Sequence, residues 1–202
     1  MEHFSCGHRE AAECLCIHAS AAGCGILFGV LFFFLWGEHA EIDAFSELYF
    51  QTRAFSSYAD AHAYMEFFAS WFCHHALWQA AALLCAFFVR PMVGTLPLCF
   101  ARGLLAGFGI CVLSGSFSGF VLYYAAAQAA LLALLLMMSA KSIRYAKDRA
   151  LYVKNMGGTF LISQAWVFGK LLPLLCGFFL SCGVQILGML GISCASVWLF
   201  TP

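Results

Sequence analysis

Lys141-Ser-Ile-Arg-Tyr-Ala-Lys-Asp-Arg-Ala150-Leu-Tyr-Val-Lys-Asn-Met-Gly-Gly-Thr-Phe160-Leu-Ile-Ser-Gln-Ala-Trp-Val-Phe-Gly-Lys170 holds six of the chain's ten Lys and Arg residues: Lys141, Arg144, Lys147, Arg149, Lys154 and Lys170. Long apolar runs without a Lys, Arg, Asp or Glu flank it on both sides, 119–140 and 171–200. A soluble domain scatters its basic residues over its surface, whereas a membrane protein concentrates them in the segments it keeps in the cytoplasm. This stretch therefore sets the class of the chain and gives it a direction.

The composition agrees. Of 202 residues, 63% are hydrophobic and 10% are charged, against roughly a quarter charged in an ordinary soluble domain. Too few charges exist to cover a water-facing surface, so lipid covers much of it. The formal net charge is zero, a balance that gives no footprint for nucleic acid. Eleven Cys are present, but Cys24, Cys85, Cys111, Cys176, Cys182 and Cys194 lie inside apolar runs, where Cys acts as a small hydrophobe. Alternating segments of about ten residues, the mark of a membrane barrel, do not occur.

A helix needs about 20 apolar residues to cross the hydrocarbon. Five segments qualify, at about 17–36, 69–89, 96–115, 119–140 and 171–200. The first is expected to be retained rather than cleaved, because Glu10 and Glu13 precede it and no clear A-x-A cleavage site follows directly after it. The expected fold is one all-α membrane domain over 1–202, a bundle of five transmembrane helices. With the N-terminus in the cytoplasm, the inside segments hold Arg9, Arg90 and the cluster, and the outside segments hold only Arg53. The reverse orientation exports the cluster, so the expectation is a multi-pass cell-membrane protein, N-in and C-out.

The outside loop 37–68 is acidic, with Glu38, Glu41, Asp43, Glu47, Asp60 and Glu66 against Arg53. Ile42, Phe45, Leu48 and Tyr49 recur at helical spacing. One or two interfacial helices are expected there, as a lipid-shaded tether or as a docking surface for an extracytoplasmic partner. The cytoplasmic loop 141–170 begins with an amphipathic helix over 141–157 that suits anionic headgroups or a cytoplasmic partner. Gly157-Gly158 ends that helix, and 159–170 runs along the interface into the last span.

Arg102 is the most costly residue to insert, at about 2.5–3.5 kcal/mol for a charge in a span. It is read first as snorkelling to the cytoplasmic interface. The alternative is a buried polar contact with a neighbouring helix, for which Gln79, Gln128 and Gln185 are the in-span candidates. Gly103 and Gly107 form a G-x-x-x-G pair with Gly109 beside them, and Gly25 and Gly29 form another. Small residues at this spacing let helix backbones approach closely. Arg102, Gly103, Gly107, Gly109 and Gln128 are therefore the candidate residues for helix packing or partner contact.

His3, Cys6, His8, Cys14, Cys16 and His18 are soft ligand types, but their spacing matches no zinc pattern. Adjacent His74 and His75 diverge by about 100° on a helix and are read as interfacial polar residues. No phosphate-binding loop, nucleophile elbow or H-E-x-x-H motif occurs. No carboxylate lies in the five spans, which weighs against ion-coupled transport. The expectation is no catalytic site, no cofactor and no metal.

Pro97-Leu-Cys-Phe-Ala-Arg-Gly-Leu-Leu-Ala-Gly-Phe-Gly109 resembles the stage II sporulation protein M family, in which an Arg-Gly pair opens a glycine-rich third span. Gly115-Ser-Phe-Ser-Gly-Phe120 is similar to that family's short glycine turn into the fourth span, and the layout of spans and loops is similar as well. Of a Pro-Gln-Asn-like element in the fourth span, Gln128 is the residue that matches. The resemblance implies a noncatalytic scaffold that anchors a peptidoglycan-remodelling complex during endospore engulfment. Its implied partners are the lipid bilayer and other membrane or cell-wall-remodelling proteins. The rival reading is a small membrane subunit of a transporter, a permease that partners an ATPase.

Overall fold

Runs of Ala, Leu, Met and Phe with few breaks make helices in the computed structural model, which describes residues 2–36, 61–116, 118–155 and 164–200. They are α1 (Glu2–Trp36), α2 (Ala61–Cys85), α3 (Pro91–Ser116), α4 (Ser118–Asn155) and α5 (Gln164–Phe200). All described secondary structure is helical. Four stretches are long and apolar enough to cross a membrane: Ala12–Leu35, Pro91–Val112, Tyr124–Asn155 and Gly169–Leu187. The architecture is that of a multi-pass helical membrane bundle.

The bundle is turned inside out relative to a soluble protein. Leu27, Phe34, Leu35, Leu77, Leu122, Phe179 and Leu187 are exposed on its outer faces, while His18, His75, Gln79, Thr95, Arg102, Gln128, Ser139, Ser142, Ser181 and Gln185 are buried. Lipid tolerates the first set, and helix–helix contacts shelter the second. Half of the α3 span is buried, the largest share of the four, so α3 is the central helix. Ala22, Ala82, Cys99, Leu135, Met138 and Leu174 bring all five helices into one core.

Paired residues fix the directions. Gly103 lies against Ala22 and Gly107 against Ile26, so α1 and α3 run parallel. Ser142 bonds Ala82, and further along α4 Arg149 bonds Phe87 just past the end of α2, so α2 and α4 run parallel to each other. Lys141 lies over Gly177 and Asp148 pairs with Lys170, so α5 returns antiparallel to α4.

Several boundaries differ from those expected of the sequence. From composition the fourth span ends at residue 140, with the basic stretch forming a separate loop. In the structure α4 continues through that stretch to Asn155, because nothing from Phe120 to Asn155 is Gly or Pro. The last helix starts at Gln164 and carries Pro173 inside it rather than at its start. Of the loop expected over 37–68, residues 61–68 belong to α2. Residues 37–60, with the helical spacing from Ile42 to Tyr49, lie outside the described residues, as do Gly157 and Gly158.

The basic stretch that begins at Lys141 has a structural task at the end of α2. The last four carbonyls of a helix lack intrahelical donors. Here Leu83, Leu84 and Cys85 accept from the backbone N–H groups of Ala86, Phe87 and Phe88 at 3.0–3.1 Å. The Ala82 carbonyl accepts from the buried Ser142 hydroxyl at 2.7 Å. The Arg149 guanidinium donates to the carbonyls of Phe87 at 2.9 Å and Phe88 at 3.3 Å. Pro91 then occupies the first turn of α3, where its missing N–H leaves nothing unsatisfied. Ser142→Ala is expected to cost about 1–2 kcal/mol, because the Ala82 carbonyl stays buried without its donor. Thermal unfolding in detergent measures this, and an unchanged midpoint would remove Ser142 from the account. By contrast the exposed Lys170–Asp148 pair at 2.8 Å is worth at most about 1 kcal/mol.

Lys141, Arg144, Lys147 and Lys154 remain exposed on α4, on the side away from buried Ser142, Ile143, Tyr145 and Ala146. The basic stretch is thus a rigid helical end of the bundle with its charges facing outward.

Candidate functional site

A buried polar layer crosses the bundle around Arg102. Arg102 on α3 brings a guanidinium, a charged planar group with five N–H donors and no acceptor. Arg102 is 2% exposed, so it does not snorkel to the interface; the contact with neighbouring helices is the arrangement present. Its Nη2 donates to Nδ1 of His75 on α2 at 2.9 Å and to Oε1 of Gln128 on α4. A guanidinium only donates, so Nδ1 of His75 accepts and the ring proton sits on Nε2. Both acceptors are neutral.

Around this centre lie further buried polar groups. Gln79 stands one turn beyond His75 on α2, and Tyr124 one turn before Gln128 on α4. Ser181 and Gln185 occupy one face of α5, one turn apart and both buried. The pairs that fix the helix directions put Ser181 and Gln185 at the depth of His75 and Arg102. Within the chain, Nη1 of Arg102, Nε2 of Gln128, Oε1 of Gln79, Oγ of Ser181 and both polar atoms of the Gln185 amide have no hydrogen-bond partner.

The glycines form a second feature, a seam between α1 and α3. A Cβ added at Gly25 would lie 2.9 Å from the Leu104 nitrogen, and one at Gly29 2.8 Å from the Phe108 nitrogen. On the other side, a Cβ at Gly103 or Gly107 would lie 3.0 Å from the carbonyl carbon of Ala22 or Ile26. Real side chains essentially never come so close to backbone, so four glycines let the two backbones touch. Gly109 is buried on the same helix. Phe28–Phe100 and Phe33–Phe108, with ring centroids 5.7 and 5.9 Å apart, flank the seam.

At one end of the seam, His18 is buried. Its Nδ1 donates to the Cys14 carbonyl at 2.8 Å, and its Nε2 accepts from the Thr95 hydroxyl of α3 at 2.8 Å. The same hydroxyl lies 3.1 Å from the Pro91 carbonyl. Thr95→Val removes the donor while keeping the shape. Its expected cost is about 1–2 kcal/mol, read as a lower midpoint in detergent; no change would make the bridge incidental.

Arg102, Gln128, Gly103 and Gly107 thus sit at two helix contacts on α3. His75 was expected at the interface. It lies in the core instead, because the α2 face that carries it and Gln79 turns inward. His74, on the other side, accepts from the Trp78 indole at 3.1 Å. Cys16 is exposed while His18 is buried, so these two N-terminal ligand types face apart. Among the described residues no three His, Cys, Asp or Glu side chains converge on a metal site, and the nine described cysteines are free thiols. The sequence carried a signal for Gln79 and Gln185, each a polar residue in an apolar run, whereas His75 was masked by the adjacent His74. Ser181 and Tyr124 carried none, as both types are common in spans. Comparison with protein-family models, with curated proteins and with solved structures finds no match to this chain.

Proposed function

We propose that the protein is a noncatalytic membrane scaffold with five spans, N-terminus in the cytoplasm and C-terminus outside. Its task is the one implied by the resemblance to the stage II sporulation protein M family: anchoring a peptidoglycan-remodelling complex in the cell membrane during endospore engulfment. The observation that carries this reading is the seam. The Arg102-Gly103 motif that bears the resemblance is where α3 meets α1 backbone to backbone, which makes a rigid frame. Helix direction supports the span count: α1 and α3 are parallel, and α2 is the helix available to bring the chain back between them. The exposed Lys and Arg on α4 then mark the cytoplasmic end.

Two measurements test this. A Lys154→Cys variant, in a background where the other accessible thiols are replaced, should react with an impermeant maleimide only after the membrane is opened. Labelling of intact cells would reverse the orientation. Affinity purification after crosslinking in sporulating cells of the native host should recover cell-wall hydrolases or their regulators. Recovery of a nucleotide-binding ATPase instead would favour the second reading, a permease subunit. The buried layer at Arg102 supports that alternative, since an ionisable residue inside a span more often serves a pathway than a frame.

A further inference from the structure

A charge in the middle of a membrane bundle needs an opposite charge or a full set of acceptors. Arg102 has neither within the described chain. Its two partners are neutral, both are held by the single nitrogen Nη2, and Nη1 has none. The carboxylates among the described side chains are Glu13 and Asp148. Glu13 is exposed on α1, and Asp148 pairs with Lys170 at the basic end of the bundle. Among the described side chains the layer carries one net positive charge.

On the two residues that share the Nη2 bond, the unused hydrogen-bonding capacity is of the donor kind. Nη1 belongs to the guanidinium whose Nη2 binds Gln128, and the unused Nε2 of Gln128 belongs to the amide whose Oε1 receives that bond. Both idle donors thus belong to the one hydrogen-bonded pair, Arg102 and Gln128. The Ser181 hydroxyl and the Gln185 amide, the latter with an idle donor and an idle acceptor, lie at the depth of His75. All four residues are at most 3% exposed. Nη1 carries two N–H groups and Nε2 of Gln128 two more, charge-assisted and neutral donors of the kind that carboxylate oxygens accept.

We propose that the layer between α2, α3, α4 and α5 is a binding site for the carboxylate group of a small organic acid, with Arg102 and Gln128 as its principal donors. The site stands on the geometry alone and holds whether the protein is a scaffold or a permease. In a scaffold it ties the state of the bundle to a solute; in a permease it is the point at which the solute is held.

The test uses the full-length protein in neutral detergent, with sodium acetate titrated against sodium methanesulfonate at constant ionic strength and pH. Thermal unfolding should shift upward saturably with acetate. Line broadening of carbon-13-labelled acetate should give the same half-saturation. Gln128→Leu should weaken the half-saturation at least tenfold, Arg102→Met should abolish the response, and Arg149→Gln should leave it intact. If Arg102→Met does not fold, Arg102→Lys keeps the charge without the planar fork and should weaken acetate at least tenfold. A linear response without saturation would overturn the proposal. So would an equal response in the Arg102 variants, or chloride matching acetate at equal concentration.

Discussion

Gly103→Leu is expected to leave little or no folded, monodisperse protein. The reason is what a side chain at this position meets. The nearest atoms are the backbone of Ala22, which cannot rotate out of the way as a side chain tip would. Inserting methylenes into a packed core costs about 1–3 kcal/mol where side chains can yield. Here α1 must be pushed off α3, which also separates the Phe28–Phe100 and Phe33–Phe108 ring pairs and the His18–Thr95 bond. The loss should exceed that range. Gly107→Leu, against the backbone of Ile26, should behave alike. Gly23 and Gly183 have nothing within 4 Å of an added Cβ, so Gly23→Leu and Gly183→Leu should express and unfold as the parent does. The comparison is made by size-exclusion profile and thermal scan in detergent. If Gly103→Leu and Gly23→Leu are indistinguishable, the seam does not hold the bundle together.

The second large effect is an asymmetry at Arg102. Gln128→Leu removes an acceptor and leaves the charge buried, at an expected cost of about 3 kcal/mol or more, since a hydrogen bond to a charged group is lost and its desolvation is not. Arg102→Met removes the charge itself and fills similar volume. Its expected effect on stability in anion-poor buffer is near zero or favourable by about 1–3 kcal/mol, as when buried charges are replaced by well-packed apolar residues. The two single variants should therefore move the unfolding midpoint in different directions, and the double variant should lie near Arg102→Met rather than at the sum. If Arg102→Met destabilises as much as Gln128→Leu, the guanidinium is a structural tie and not a charge held for another purpose.

How far the fold could be read from the residues depended on what kind of signal each element carried. Long apolar runs announce helices, and the basic stretch after residue 140 breaks that signal. Composition therefore stopped the fourth span there, while the backbone ran on to Asn155. Helix propensity had no reason to end where hydropathy did, since Lys, Arg, Ala and Leu are all good helix formers. The glycine pairs pointed to close packing because spacing alone puts them on one face, but spacing does not choose the facing helix. That choice emerged from the offset that lets Gly25 and Gly29 interlock with Gly103 and Gly107.

The polar layer was legible residue by residue and not as a layer. Gln79, Gln128 and Gln185 stood out in apolar runs, yet which of them meets Arg102 depends on the rotation of four helices. Arg102 itself gave a misleading cue. Its position near the start of a span favoured an escape to the interface, and the outcome was decided by His75 and Gln128 closing over it. His75 was hidden by its neighbour: an adjacent His pair reads as surface, but one turn of α2 puts His74 beside Trp78 and His75 into the core.

The parallel seam also bears on synthesis. The partner packed most tightly against α1, α3, comes two helices later in the chain. About 80 residues separate the end of α1 from the end of α3, roughly 4–16 s of translation at about 5–20 residues per second. Throughout that interval the Gly25 and Gly29 face of α1 stands open in the bilayer, shaped to receive another glycine-bearing helix. A neighbouring nascent chain presents the same face. The seam thus sets a race between closing within one chain and pairing between two, and the speed with which α3 follows α1 out of the ribosome decides it.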